Sequence, residues 1–206
     1  MVLDIVFLLI IIMCVYYGFK KGMLKTIASL ATMIVGIWVA LYFYRSFIML
    51  LERIPIINNM LTEIKKGIYK ILMLKFEESG VTEFFRGLVS QNVINQGNSA
   101  VANSVTNIIY SITMMLILLI VVKVGLALTV KIIGIFEHLP VIKQVNRVLG
   151  GCIGLINGVL ICYVVATLMF VVMANVDVKW LSDNIKESNI AKYFFDTNII
   201  IKAILK

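Results

Sequence analysis

The stretch NRVLGGCIGLINGVLI, residues 146–161, decides how this chain folds, because it puts glycines inside a strongly apolar segment. Gly150, Gly154 and Gly158 recur at every fourth position. Glycine costs about 1 kcal/mol relative to alanine in a helix interior, so the repeat needs a reason. Three uses would supply one: a phosphate-binding loop, a packing face between helices, or the lining of a channel.

The residues around these glycines exclude the phosphate-binding loop. A P-loop has the pattern GxxxxGK[ST], and a dinucleotide fingerprint needs GxGxxG after a strand; neither is present. On a helix, residues four apart lie on one face. Small residues let membrane helices approach closely where lipid gives little hydrophobic drive. The repeat therefore favours a glycine zipper, in which alanine should be tolerated better than leucine.

The rest of the chain places this face in a membrane. Of its 206 residues, 61% are hydrophobic and 15% are charged, and the mean hydropathy is +1.02; soluble domains have about 45–50% and 25%. A membrane helix needs about 17–25 apolar residues. We therefore predict an all-α integral membrane protein, a single membrane domain over residues 1–206 with four transmembrane helices in two hairpins. The spans are 3–17, 24–44, 105–130 and 148–174.

Two further segments are expected to form amphipathic surface helices. In the middle segment, residues 45–104, apolar residues recur near helical spacing among lysines and glutamates. This pattern is typical of a helix at a membrane surface or against the bundle. Its uncharged end, residues 90–104, predicts a loop. The tail, residues 175–206, predicts a second surface helix, with disorder as the alternative.

The basic residues of the short loops predict the orientation. Excess lysine and arginine marks cytoplasmic loops, so we expect the first and third loops to be cytoplasmic and both termini to lie outside. The residues concerned are Lys20, Lys21, Lys25, Lys131, Lys143 and Arg147.

A second face of small residues follows the second helix. Its members are also spaced by four, and we expect this face to mate with the glycines of the fourth helix in a tight bundle or dimer. Gly18 and Gly22 would let the chain turn tightly in the first loop. The face consists of Ala28, Thr32, Gly36 and Ala40.

The polar residues in or beside the spans have two interpretations each. Asn146 is suited to cap the start of the fourth helix and Arg147 to reach lipid phosphate; the alternative is contact with a partner or substrate. Asn157 needs a hydrogen-bond partner, and either ties helices together or lines a polar path. We expect Lys123 to reach the membrane surface from near a helix end, and Asp4 to be solvated.

Several classes of function are not supported. The three cysteines form no CxxC pair, and His138 has no cluster of ligand residues near it, so no metal or cofactor is expected. The spans hold no nucleophile with a base and no paired aspartates, so we expect no enzyme and no catalytic residue. The net charge of +8 lacks a basic, aromatic module for nucleic acid. It suits anionic lipid instead.

Two stretches resemble the signatures of a known family. LDIVFLLIIIMCVYYGFKKGMLKTIASLA, residues 3–31, with its Asp, apolar run and G-x-x-[KR]-G turn, looks like the start of colicin V production (CvpA) family proteins. The stretch at 146–161 is similar to that family's second signature, an Asp/Asn–Arg pair before Leu-Gly and spaced glycines. The acidic residue that members often carry after the first turn is absent, and Lys25 stands there. The family's glycines and polar pair map onto Gly18, Gly22, Gly150, Gly154, Gly158, Asn146 and Arg147.

The resemblance implies a four-span protein of the bacterial inner membrane. It implies a role in the production or export of a peptide bacteriocin and a broader role in envelope homeostasis. The alternative is a small homo-oligomeric transporter or channel, for which Lys123 and Asn157 are the intramembrane candidates. The expected partners are the lipid bilayer with its anionic lipid, a second copy, or secretion machinery.

Overall fold

The structure, a computed structural model, describes residues 2–79, 89–133, 143–175, 184–185 and 187–204. These residues form helices and no strand, which confirms the predicted all-α class. His138 and the parts of the middle segment and tail at 80–88 and 176–183 lie outside the described residues. The helices are α1 Val2–Lys21, α2 Met23–Glu52, α3 Pro55–Ser79, α4 Gln91–Ile94, α5 Asn98–Ile133, α6 Lys143–Asn175, α7 Asn189–Asp196 and α8 Ile199–Ile204.

Four helices are long and apolar enough to cross a bilayer, and they make this a multi-pass membrane protein. Their spans are Val2–Lys21, Met23–Glu52, Asn98–Leu128 and Gln144–Met173, with mean hydropathies of 1.9 to 2.5. Lipid cannot satisfy backbone polar groups, so continuous helices are the form in which such segments cross.

The second helix runs past its predicted end at residue 44. Nothing in residues 45–52 breaks a helix, and α2 continues to Glu52. It stops just before Ile54, which precedes Pro55 and is disfavoured in helical conformation for that reason. The aromatic residues near position 44 mark a change of environment along α2 rather than its end.

The predicted loop at residues 90–104 is wrong for most of its length. Residues Gln91–Ile94 are helical, and α5 begins at Asn98 directly after Gly97, whose φ is 96°. Val101 and Ala102 are buried in the cluster that α3 shares with α5. This packing extends α5 through a polar sequence, since tertiary contacts override weak local propensity.

The helices of one predicted hairpin pack more extensively against the helices of the other hairpin than against each other. The most extensive packing is of α1 against α6, followed by α2 against α5 and α2 against α6. Helices joined by the short loops, α1 with α2 and α5 with α6, contact each other much less. Each hairpin therefore depends on the other for its packing.

The middle segment packs against the bundle. One face of α3 is buried, and the side-chain amide of Asn98 donates to the Phe76 carbonyl at 3.5 Å, which ties the end of α3 to the start of α5. This face lies against α5 and α2 and not on a free membrane surface. Its buried residues are Leu61, Ile68, Leu72 and Phe76.

The described part of the tail is helical, as predicted, and its two helices are folded onto the bundle. The Phe194 ring of α7 stacks on Phe7 of α1 at a centroid distance of 5.4 Å. Asn198 is fully buried, and its Oδ1 accepts from the backbone N–H of Ile200 and Ile201 at 3.0 and 3.2 Å. It thereby caps α8 inside the protein.

Asp4 is not merely solvated, contrary to expectation. Its Oδ1 accepts from the Ser188 hydroxyl at 2.6 Å and from the Ile190 N–H at 2.8 Å. The Ser188 hydroxyl in turn accepts from Ala191 N–H at 2.9 Å. A carboxylate at a helix start satisfies free N–H groups and complements the helix dipole. The start of α1 is thus bonded to the start of α7.

Candidate functional site

The glycines of α6 press against the backbone of α1. Gly150 and Gly18 oppose each other so closely that a Cβ on either would collide with the carbonyl oxygen of the other. A Cβ on Gly154 would lie 2.5 Å from the Cys14 carbonyl oxygen. One on Gly158 would lie 3.1 Å from the Cys14 Cβ and 3.2 Å from the Ile11 Cα. We call this contact the glycine junction: Gly18, Gly22, Gly150, Gly154 and Gly158.

The small-residue face of α2 does not mate with these glycines. A Cβ on Gly36 would lie 3.9 Å from both the Leu119 carbonyl oxygen and the Lys123 Cβ of α5. Ala40 is buried with Leu119 in the same interface. Of the other members, Ala28 is half-buried, and the Thr32 hydroxyl donates to the Ser29 carbonyl of its own helix at 2.9 Å. The α6 glycines meet α1 because Gly18 also lacks a Cβ there, which allows both backbones to approach.

Asn146 caps a helix to which it does not belong. Its Oδ1 accepts from the Met23 N–H, the first of α2, at 2.7 Å. The amide fits because Gly22, with φ of 79°, has no Cβ; one would lie 2.6 Å from the Asn146 Nδ2. The Thr26 hydroxyl donates to the Gly22 carbonyl at 2.7 Å and completes the turn. Asn146 therefore holds the α1–α2 turn rather than the start of α6, and the adjacent Arg147 is exposed.

A polar cleft lies between α1, α2, α5 and α6, beside the glycine junction. It has a volume of about 210 Å³. None of the described residues that line it carries a carboxylate. Its polar lining consists of Tyr17, Lys21, Thr26, Ser29, Lys123 and Asn157.

Only one of the two polar side-chain atoms of Asn157 has a hydrogen-bond partner among the described residues around this cleft. Its Nδ2 donates to the Ser29 hydroxyl of α2 at 3.4 Å, so the amide does tie α6 to α2. Its Oδ1 is buried without a hydrogen-bond partner among the described residues. A buried acceptor left unpaired costs about 1–3 kcal/mol. Both interpretations of this residue thus have support, a tie through the nitrogen and a polar lining through the oxygen.

Lys123 lies in the last third of α5, five residues before its apolar span ends at Leu128. The helix α5 continues to Ile133, and the Lys123 Cβ lies level with Gly36 of α2. Gly36 follows Met23 by 13 residues, which is on the order of 20 Å along a helix. A lysine inside a span is unfavourable unless its charge is solvated or paired. Its half-buried side chain lines the cleft.

The sequence did not single out four of the cleft residues. Thr26 and Ser29 are three apart on one face of α2, and Tyr17 and Lys21 are four apart on α1. Those spacings are visible in the sequence. What it does not show is that α5 brings Lys123 to the same place, because periodicity assigns a residue to a face and not to a neighbour.

The fold and the site together define a class of protein: a four-span helical membrane protein in which α1 and α6 pack through the glycine junction, with a polar cleft beside it. A model of the family described as colicin V production protein matches residues 3–198. The chain therefore belongs to the colicin V production protein family, and this membership supports a role in colicin V production. No curated protein and no solved structure gives a significant match.

Proposed function

We propose that this protein is a non-enzymatic factor of the bacterial inner membrane that supports the production or export of a colicin V-type bacteriocin and the homeostasis of the cell envelope. One observation carries the proposal: the two signatures of the family, more than a hundred residues apart, form one contact. Asn146 caps the turn at Gly22, and Gly150 opposes Gly18. The two stretches that resemble the family's signatures thus pack against each other, which supports a structural role.

The polar groups at the junction and at the start of α1 already have structural tasks. Asn146 and Thr26 complete the turn at the junction, and Asp4, at the opposite end of α1, holds the tail. The described residues contain no group of three His, Cys, Asp or Glu side chains that would hold a metal ion. These uses support a scaffold and a docking role in the membrane.

The surface supports partners in the plane of the membrane. The apolar side chains that α1 exposes include Ile5 and Ile12, at 64% and 57%, which suit lipid, a second copy of the chain or secretion machinery. Four exposed basic residues near the glycine junction suit anionic lipid: Lys20, Lys21, Lys25 and Arg147. Nucleic acid is not among the proposed partners.

The test is complementation in a colicin V-producing strain from which this gene's counterpart has been deleted. Wild type should restore secreted bacteriocin, and Gly154→Leu should fail because leucine would enter the α1 backbone. Gly125→Leu is the matched control, since a Cβ there meets nothing within 4 Å. Secreted and cell-associated bacteriocin are both measured, with the membrane level of each variant. Normal secretion with Gly154→Leu at full membrane level would contradict the proposal.

The polar cleft favours a second candidate, a small homo-oligomeric transporter or channel. Transporters carry charged residues within their spans at the substrate site, and Lys123 is such a residue. Purified protein reconstituted in liposomes should then carry anion flux that Lys123→Met abolishes. If the wild-type protein supports bacteriocin secretion but carries no anion flux in liposomes, the transporter candidate is wrong and the scaffold role remains.

A further inference from the structure

The charges of the polar cleft are unbalanced. Lys123 lies inside a membrane span, and Lys21 lines the cleft from α1. Among the described residues, no carboxylate comes within 4 Å of either ammonium group. The Lys21 Nζ lies 5.9 Å from the centroid of the Tyr17 ring. A cation without a nearby negative charge is unfavourable inside a membrane span. We therefore expect the cleft to bind an anion.

The remaining lining adds hydrogen-bonding requirements. The hydroxyl of Ser29 can donate to an anion, and the hydroxyl of Thr26 is occupied by the Gly22 carbonyl. The Asn157 Oδ1, a buried acceptor without a partner, requires a donor. A simple anion satisfies the lysines alone, whereas an anion that also carries a hydroxyl group satisfies Asn157 as well.

The size of the cleft limits the ligand further. A volume of about 210 Å³ lies below the range of about 300–1,000 Å³ typical of sites for drug-sized ligands. Nucleotides are therefore too large, and a single phosphate ester with a small alcohol is of suitable size.

We propose that this cleft binds a glycerol phosphate group, with Lys21 and Lys123 on the phosphate and the Asn157 Oδ1 accepting from a glycerol hydroxyl. The group has two sources with the same chemistry: the headgroup of an anionic phospholipid, or free glycerol phosphate from the aqueous side. This binding does not depend on the proposed role in bacteriocin production.

The experiment uses the full chain in detergent and measures binding by native mass spectrometry and by the shift in thermal melting. The probes are phosphatidylglycerol, phosphatidylcholine and free glycerol 3-phosphate. Lys123→Met should weaken binding about tenfold or more, because charge-assisted hydrogen bonds are lost. Lys123→Arg should retain it. Asn157→Asp replaces the nitrogen that donates to Ser29 by an oxygen that accepts from the Ser29 hydroxyl. It also places a negative charge in the cleft, and should therefore abolish anion binding.

Lys192→Met is the matched control, because Lys192 is an exposed lysine of α7 that neither lines the cleft nor belongs to the basic end of the bundle. It should bind as wild type. Binding of phosphatidylglycerol but not glycerol 3-phosphate would assign the lipid source, and the reverse would assign the soluble one. Binding that Lys123→Met leaves unchanged, or that Lys192→Met weakens equally, would overturn the proposal. So would the absence of binding by both glycerol phosphate probes.

Discussion

Individual glycines of α6 differ in what they tolerate, because each faces a different kind of atom. Gly154 faces the Cys14 carbonyl, which is backbone and cannot move without moving α1. Gly151 is buried against the ring of Phe19, a side chain that is 41% exposed and can swing away. The glycine junction is therefore stricter than the spacing of its glycines alone suggests. Alanine should still be tolerated better than leucine at Gly154, but a Cβ placed 2.5 Å from an oxygen makes even alanine costly there.

Replacing Gly154 should thus destabilise the protein even with the smallest side chain. Gly154→Ala should cost about 1–3 kcal/mol through overpacking, despite the better helix propensity of alanine. Gly154→Leu should be worse, and Gly151→Leu intermediate. Gly125→Ala, with open space around its new methyl group, should be neutral or stabilising by up to about 1 kcal/mol. Thermal melting in detergent decides the order, and equal melting of Gly154→Ala and Gly125→Ala would refute it.

At this scale the sequence predicted part of the site. The spacing of Gly150, Gly154 and Gly158 identified a packing face, and the polar character of Asn146 and Asn157 marked them as groups in need of partners. The partners themselves were not predictable, because a period of four fixes a direction on one helix only. The bond from Asn146 to Met23 joins positions 123 apart, and nothing local in the sequence encodes it.

Among the elements, the tail depends most on contacts that its own sequence does not show. Its helices α7 and α8 are too short to be stable alone, so they depend on packing against the bundle. Ser188 and Asn198 cap these helices locally. Their outside partners are Asp4 of α1, which accepts from Ser188, and the Tyr163 carbonyl of α6, which accepts from the Asn198 Nδ2 at 3.1 Å. The local sequence pattern predicts a helix but not these distant partners. By contrast, the four long apolar helices were predictable from composition and length.

Removal of the Asp4 carboxylate should loosen the tail without unfolding the bundle. In Asp4→Ala, the Ser188 hydroxyl and the Ile190 N–H lose their acceptor, and amide exchange of α7 should accelerate about tenfold. Asp4→Asn keeps one acceptor oxygen and should have a smaller effect. Asp196→Ala removes an exposed acid of α7 itself and serves as the control. Hydrogen exchange of residues 187–204 measures the difference; unchanged exchange in Asp4→Ala would show that the bond does not hold the tail.

For the whole molecule, the described residues give the two ends of the bundle different charge patterns: one end has bases without acids, and the other has both. Exposed Lys20, Lys25 and Arg147 share one end, because the Asn146–Met23 bond brings the first turn to the start of α6. Asp4 and the tail lie together at the opposite end of α1. A basic end next to the cytoplasm and both termini outside is the arrangement that the positive-inside rule favours.

Labelling of single cysteines tests this orientation. In a chain whose three native cysteines are replaced by alanine, Lys20→Cys should resist an impermeant maleimide in intact cells, and Lys192→Cys, exposed on α7, should react. Both should react once the membrane is opened, which controls for access. The reverse pattern in intact cells would place the termini in the cytoplasm.

The cap that Asn146 places on α2 also orders events during synthesis. The ribosome makes about 5–20 residues per second, so the 123 positions between Met23 and Asn146 correspond to roughly 6–25 s. For that interval the first hairpin sits in the bilayer with the glycine side of α1 facing lipid and the first N–H of α2 without its acceptor. A nascent chain that stalls before α6 emerges is consequently a half-bundle that cannot close, and it presents the membrane proteases with a substrate that the finished protein never shows.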